Sequence, residues 1–209
     1  MNLYKEKMNM DKGFCVWLTG LSASGKTTLA SLLAGTLLEK GIKVEVLDGE
    51  EIRTSLSQEL GFSRQDRETH LRRIALVAKL LARNGVGVIA AAITPYQHLR
   101  DEAREAIENY VEVFVNCPLE ACIERDPKGL YKKALVGELP NFTGIDDPFE
   151  IPVRPEIELL TDKETPEESL ARILCTLEIL EFVPRAPGQG YSPEEVRRIE
   201  KQLSDLGYI

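Results

Sequence analysis

Residues Phe14 to Thr27 read Phe-Cys-Val-Trp-Leu-Thr-Gly-Leu-Ser-Ala-Ser-Gly-Lys-Thr, and this stretch decides the fold. Phe14–Thr19 is an apolar run of strand character. Gly20–Thr27 matches G-x-x-x-x-G-K-[ST] at every fixed position, and Thr28–Leu38 continues in a helical pattern. Strand, loop and helix in that order form the setting in which the pattern binds phosphate. The glycines let the backbone curl so that the amides of Gly20, Leu21, Ser22, Ala23, Ser24, Gly25, Lys26, Thr27 and Thr28 surround one anion at the positive end of a helix. Lys26 then reaches the β- and γ-phosphates of ATP, and the Thr27 hydroxyl is placed to ligate Mg²⁺. A glycine-rich turn that merely ends a strand would need neither the lysine nor the threonine.

Outward from this loop, β-rich runs alternate with helical patterns. The strands are expected at Phe14–Thr19, Lys43–Leu47, Val86–Ala92, Val111–Asn116 and Ile157–Leu160. Helices are expected near Lys26–Lys40, Asp66–Asn84, Gln97–Asn109, Leu119–Arg125 and Pro166–Leu180. Such alternation predicts an α/β chain: a parallel five-stranded sheet with helices on both faces, the P-loop NTPase architecture. Ligands in sheets of this kind bind beyond the carboxyl ends of the strands. Helix ends agree, with Gly41 and Asn84-Gly85 as stops and Thr165-Pro-Glu-Glu168 as an N-cap with proline at the first helical position.

Two segments break the alternation. Residues 126–155, rich in Gly, Pro, Asp and Lys, are too long for a plain connector and read as a lid or binding loop. Pro184–Gly190 reads as a linker, followed by Ser192-Pro-Glu-Glu195 capping a short amphipathic helix with Val196, Ile199, Leu203 and Leu206 on one side. That helix either covers the domain's own surface or meets a partner. The expected organisation is an N-terminal extension over 1–12, a nucleotide-binding domain over 13–182, and a linker with a short helix over 183–209.

With 209 residues the chain can bury a sizeable core, and 43% apolar with 29% charged content is ordinary for a globular domain. A net charge of -8 argues against a non-specific nucleic-acid binder. An anionic ligand must therefore be held by a local cluster of cations. Cys15, Cys117, Cys122 and Cys175 lack metal-ligand spacing and read as buried thiols, with Cys122 on a helix and partly exposed. The polar segment Met1–Lys12 carries no apolar core of a signal peptide, and no run approaches membrane-spanning length; the expectation is a cytoplasmic protein with no membrane partner.

The second strand ends in Leu47-Asp-Gly-Glu-Glu-Ile-Arg53, which places carboxylates and an arginine beside the phosphate loop. Strand Val86–Ala92 carries no acidic residue, so the usual Walker B aspartate is missing there. Asp48 is the best substitute, for magnesium or for orienting an acceptor hydroxyl, and Glu50 shares that work; the alternative is an ordinary Asp-Gly turn. Downstream, Arg64, Arg67, Arg72 and Arg73 crowd one segment. Guanidinium forks suit phosphate and sulfate oxygens, although a solvated helix face explains the same spacing. Phe62 offers a ring to a base, and Arg67 and His70, three apart, share a helix face.

Several long words of this sequence resemble the adenylyl-sulfate kinases of sulfate assimilation: Leu47-Asp-Gly49, Leu60-Gly-Phe-Ser63, Arg72-Arg73, Ile93-Thr-Pro-Tyr96, Arg125-Asp-Pro-Lys-Gly-Leu-Tyr-Lys-Lys-Ala134 and Phe142-Thr-Gly-Ile-Asp-Asp-Pro-Phe149. The resemblance runs from about Gly13 to Leu180. It implies ATP-dependent phosphorylation of the ribose 3′-hydroxyl of adenylyl sulfate. By the same resemblance, Asp48 serves magnesium and the acceptor, with Glu50 beside it. Phe62 and Phe149 sandwich the acceptor adenine, Arg53 and Arg67 grip the sulfate–phosphate end, and Ile93 and Thr94 line the acceptor site. Lys128 lies on the mobile lid, Arg125 lies near the ATP adenine, and a homodimer is implied as an option. Four positions depart from the family pattern. Glu50 replaces an aspartate, His70 an asparagine beside the acceptor, Thr94 a serine, and Gln97 an arginine. Two other readings stand beside an active adenylyl-sulfate kinase: a relative acting on a different nucleotide anhydride, and a non-catalytic nucleotide-binding subunit. Turnover with ATP, Mg²⁺ and adenylyl sulfate separates the three.

Overall fold

In the computed structural model, which describes residues 13–185 and 191–209, the predicted alternation forms one parallel sheet. Its strands are β1 (Phe14–Thr19), β2 (Val44–Asp48), β3 (Gly87–Ala91), β4 (Tyr110–Asn116) and β5 (Ile157–Leu160), in the spatial order β2-β3-β1-β4-β5. The expected N-terminal extension, Met1–Lys12, and residues 186–190 of the expected linker lie outside the described residues.

β1 is central, and its side-chain alternation distributes the core. Phe14, Val16 and Leu18 point to one face and join Leu29, Leu33 and Leu37 of α1 (Lys26–Glu39) and Ile173, Leu174 and Leu177 of the helix Pro166–Ile179. Cys15 and Trp17 point to the other face, where they meet a second helical layer. That layer is built from Leu71, Ile74 and Ala78 of α3 (Arg64–Ala82) and Leu99 and Ala103 of α4 (Gln97–Ala106). Helices therefore cover both faces, which explains why strands β1, β3 and most of β4 are apolar throughout and not alternating.

Of three further helices, two were not separate elements in the sequence pattern and one was expected. α2 (Gly49–Leu56) starts directly at the end of β2, because the Asp48 side chain accepts from the Glu50 amide at 2.9 Å and caps it. α5 (Leu119–Arg125) matches its expected span, and α6 (Leu130–Leu135) lies inside segment 126–155. That segment is thus not a bare loop. Tyr131, Ala134 and Phe142 pack with Cys117 and Cys122 in a small satellite core. Cys122, expected to be partly exposed, is fully buried there, and burial pushes its thiol up to about 12. The satellite core under 126–155 is the reason: it covers the helix face that the sequence alone leaves open.

α7 (Pro166–Ile179) carries the expected capping box at Thr165 and Glu168, and α8 (Pro193–Asp205) a second one at Ser192 and Glu195. Ile199 and Leu203 of α8 are buried against Cys175 of α7, so the amphipathic helix covers the domain's own surface. Among the described residues, no helix is long and apolar enough to cross a membrane.

Parallel register brings the functional loops to one edge. Leu18 and Asp48 are both level with Ala91, and Thr19 is level with Phe114. The loops leaving β1, β2, β3 and β4 therefore open side by side at the carboxyl end of the sheet.

Candidate active site

The loop between β1 and α1 is shaped for an anion. Gly25 sits at the N-cap of α1 with φ +106°, a conformation that any residue with a Cβ resists. At Gly20 a Cβ would stand 2.4 Å from the carbonyl oxygen of Val115, so only glycine lets β4 approach so closely. No side chain caps α1 and no acidic residue lies in its first turn, unlike α2, α3, α7 and α8, whose first amides are held by Asp48, Ser63, Thr165 and Ser192. The amides and dipole of α1 are left for an external negative charge. Lys26 folds back into this cradle and donates to the carbonyl oxygens of Gly20 at 2.9 Å and Leu21 at 2.6 Å. Burial pulls its ammonium down to about 8, and a phosphate brought alongside would restore the charge.

Beside the loop stands Asp48, at the end of β2. Its two carboxylate oxygens divide the work: one accepts from the Glu50 amide, the other from the Thr27 hydroxyl at 2.9 Å. A hydroxyl at the head of α1 and a carboxylate from β2 thus face one another across the phosphate loop. Glu50, exposed on α2, pairs with Lys128 of segment 126–155. Both partners are largely open to water, so this pair contributes little stability and is easily exchanged.

The remaining candidates form a second cluster. Arg53 donates to the carbonyl oxygen of Gly61 at 2.9 Å and lies 4.8 Å from the ring centre of Phe62, which is 54% exposed. Arg67 donates to the carbonyl oxygen of Phe62 at 3.1 Å and to Thr143 and Asn141, and pairs with Asp147 at 3.7 Å. It thereby ties α3 to segment 126–155. Phe149 stacks on Phe114 of β4, with ring centres 5.9 Å apart. Ile93 accepts through its carbonyl oxygen from Thr19 Oγ1 at 2.6 Å, and Thr94 is fully buried with φ +44°. Trp17 Nε1 donates to Thr94 Oγ1 at 2.9 Å, so this hydroxyl is committed inside the protein.

His70 behaves differently from what its spacing suggests. It does not share an open face with Arg67. Its ring is 5% exposed, with Nδ1 3.0 Å from Ser57 Oγ and Nε2 2.9 Å from the carbonyl oxygen of Gly49. It braces the Asp48-Gly49 turn from behind, because α2 folds its start and end onto α3. The other arginines of this region are also accounted for: Arg72 is bidentate to Glu102 at 2.7 and 3.0 Å, and Arg73 pairs with Glu59 at 2.6 Å.

With both clusters described, relatives can be placed beside the geometry. The family model described as Adenylylsulphate kinase matches residues 12–160, well over half of the chain. The adenylyl-sulfate kinase of Rippkaea orientalis is 56% identical over 174 residues, covering 83% of this chain and 96% of the relative. The chain is a member of the adenylyl-sulfate kinase family.

Another family member, the probable bifunctional SAT/APS kinase 2 of Sorangium cellulosum, is 58% identical over 83% of this chain, which spans 30% of that longer protein. Among solved structures, the Mycobacterium tuberculosis APS kinase CysC in complex with AMPPNP and APS superposes with a TM-score of 0.77 at 44% identity, covering 80% of this chain and 98% of that one. Within the adenylyl-sulfate kinase fold, Arg125 closes α5 and donates to the carbonyl oxygen of Thr161 at 2.5 Å; Thr161 in turn donates through Oγ1 to the carbonyl oxygen of Ser24 at 2.8 Å. Arg125 therefore stands one residue removed from the phosphate loop. Thr161 and Tyr131, whose hydroxyl donates to the carbonyl oxygen of Ser22 at 3.0 Å, support the loop without having been singled out from sequence. Tyr131 lies inside the word Arg125–Ala134, whose length was the available signal; Thr161 carried none.

His70 also has a measurable consequence. Burial, with the Arg53 charge as the next cause, pulls its pKa from 6.5 to about 4. Above pH 6.5 the ring is neutral in both folded and unfolded chains and contributes nothing to the pH dependence. Below it, the unfolded chain takes up a proton that the folded one refuses, so stability falls as pH drops towards 4, by on the order of 3 kcal/mol for a shift of this size. Denaturant unfolding at several pH values should show a steeper acid loss for the wild type than for His70→Gln. Parallel curves would mean that the ring is not held neutral.

Proposed function

We propose that the chain transfers the γ-phosphoryl group of ATP to the 3′-hydroxyl of adenylyl sulfate, giving 3′-phosphoadenylyl sulfate and ADP. The observation that carries this reading is a juxtaposition. An uncapped helix N-terminus with Lys26 stands beside the Thr27–Asp48 pair, and the helix that Asp48 caps carries Arg53 against the exposed ring of Phe62. That supplies a cradle for a triphosphate, a carboxylate beside it, and a ring with a guanidinium on the next helix for a second nucleotide. The Mycobacterium tuberculosis relative, whose complex holds AMPPNP and APS together, supports two nucleotide sites on this fold.

Phosphoryl transfer asks for positioning and charge neutralisation more than for covalent chemistry. The amides of Gly20–Thr28 and the ammonium of Lys26 hold the β- and γ-phosphates. Arg125, next to Thr161, flanks the side of the loop where the ATP base would lie. Arg53 and Arg67 present guanidinium groups to the sulfate–phosphate end of the acceptor, the loop carrying Ile93 forms its wall with Thr94 buried inside that loop, and Phe62 and Phe149 stack its adenine. Asp48 orients the attacking hydroxyl, with Glu50 as the neighbouring carboxylate. His70 acts through Gly49, keeping the Asp48 turn in place. Segment 126–155, tethered through Lys128 to Glu50, is the lid that excludes water during transfer.

The Thr27 hydroxyl and the Asp48 carboxylate are hard oxygen donors, the kind magnesium takes when it completes its shell with water and phosphate oxygens. Among the described residues, no cluster of three or more His, Cys, Asp or Glu could hold a metal alone, which fits an ion that arrives with its nucleotide. Magnesium bound there would neutralise charge on the phosphates during transfer.

The test is turnover of purified protein with ATP, Mg²⁺ and adenylyl sulfate, read as ADP release. ADP release that requires adenylyl sulfate supports the reading. Turnover only with another acceptor points to a different anhydride, and tight ATP binding without turnover to a binding subunit. Phe149→Ala adds a finer check: a lost stacking platform costs roughly 1–3 kcal/mol, so the KM for adenylyl sulfate should rise about tenfold or more while the KM for ATP holds. An equal rise for both substrates would remove Phe149 from the acceptor site.

A further inference from the structure

A fully buried arginine lies behind the acceptor wall, outside the residues assigned above. Arg100 on α4 has no solvent exposure, and its fork reaches three acceptors. Nη1 donates to the carbonyl oxygen of Thr94 at 2.7 Å, and Nη2 donates to the carbonyl oxygen of Glu150 and to Gln97 Oε1, both at 2.7 Å. Its guanidinium carbon lies 5.8 Å from the ring centre of Phe149, and Glu112 faces Nε at 3.2 Å. We propose that Arg100 is a positioning residue that sets the acceptor pocket by tying the Thr94 loop to the end of the lid at Phe149–Glu150.

The geometry favours this over a purely structural charge. Burying an ion pair gains little over apolar packing of the same volume, so stability alone does not account for a guanidinium in this place. What the planar fork does is fix two chain segments in one geometry, which a point charge cannot. One of those segments needs fixing: Thr94 is held at φ +44°, a conformation that costs free energy and persists only when its surroundings over-determine it. Arg100 and Trp17 grip it from its carbonyl and hydroxyl ends. The same seam carries further stitches. The Gln97 amide donates to Glu150 Oε2 at 2.6 Å, Gln97 Oε1 also accepts from the Val153 amide at 3.3 Å, and the Glu150 amide donates to the carbonyl oxygen of Pro95 at 2.8 Å. Gln97 Oε1 is thus a neutral acceptor shared by Arg100 and the Val153 amide within this seam.

This inference rests on the reading of Phe149 and Thr94 as acceptor residues, and its test separates the two. Arg100→Lys keeps the charge opposite Glu112 but cannot span three acceptors. It should raise the KM for adenylyl sulfate about tenfold or more and leave the KM for ATP within twofold. Gln97→Met, which leaves the buried pair intact, should shift the same constant in the same direction by a smaller factor and serves if the lysine variant does not fold. Hydrogen exchange should rise together in segments 93–97 and 149–153 in both variants. An unchanged acceptor KM in both, or equal rises in both KM values, overturns the proposal. If the wild type shows no turnover with adenylyl sulfate, the functional reading fails, and exchange alone decides: unchanged protection in both segments overturns the seam as well.

Discussion

Replacing Lys26 by alanine should lower turnover by roughly 10²–10³-fold, with the fold retained. The ammonium is the only side-chain cation inside the phosphate loop. In phosphoryl transfer a preorganised charge of this kind does most of its work on the transition state, where removing a single such group costs roughly 10²–10³ in kcat. Loss of the side chain leaves the carbonyl oxygens of Gly20 and Leu21 facing a loop that water can enter, so little stability is at stake. Steady-state kinetics with saturating ATP, beside a circular-dichroism melt, checks both halves. A variant turning over at near wild-type rate would take the phosphate loop out of the chemistry. A variant that unfolds would instead make Lys26 structural.

The second large effect is expected from Asp48→Asn. Asparagine keeps an oxygen that can cap α2 at the Glu50 amide, and the NH2 that replaces its second oxygen can donate to the Thr27 hydroxyl, so β2, α2 and the turn should survive. It removes the negative charge that, in the proposed mechanism, orients the acceptor hydroxyl and completes the magnesium set. Losses of roughly 10–100-fold are usual even for groups that only support a metal ligand, and a larger drop in kcat is expected for a group that touches the reacting atoms. Titrating Mg²⁺ discriminates between the two duties. A raised magnesium requirement with kcat recovered at high Mg²⁺ marks a ligand role; a kcat that stays low marks orientation of the hydroxyl. Unchanged kinetics at all Mg²⁺ levels would return Asp48 to a plain helix cap.

Much of this was legible in the chain. Strand–loop–helix order around Gly20–Thr27 announces the nucleotide cradle, because that chemistry is carried by backbone amides whose conformation depends on local glycines. The strands of the sheet were recoverable to within a residue or two, since each is a short apolar run between clear helix stops. Asp48 stood out at the end of β2 because the loop is short and the register of a parallel sheet leaves it nowhere else to go. Less was legible where a side chain has several partners within reach. The run of arginines from Arg64 to Arg73 was equally a ligand grip or a solvated face; the structure divides it, with Arg72 and Arg73 paired to glutamates and Arg67 linked to segment 126–155. His70 was grouped with Arg67 by helical spacing, yet rotation of α2 onto α3 turns it to Gly49.

The local pattern of this sequence was enough to determine where an anion can be cradled, how many strands line up, and which loops share an edge. Those properties follow from backbone conformation and from burial at a period of two or 3.6 residues, both written along the chain. Tertiary structure alone decided the partners of polar side chains far apart in sequence: Arg100 with Thr94 and Glu150, Tyr131 with Ser22, Thr161 with Ser24. Such contacts depend on three-dimensional positions set by the packing of whole helices, and no spacing along a chain encodes them.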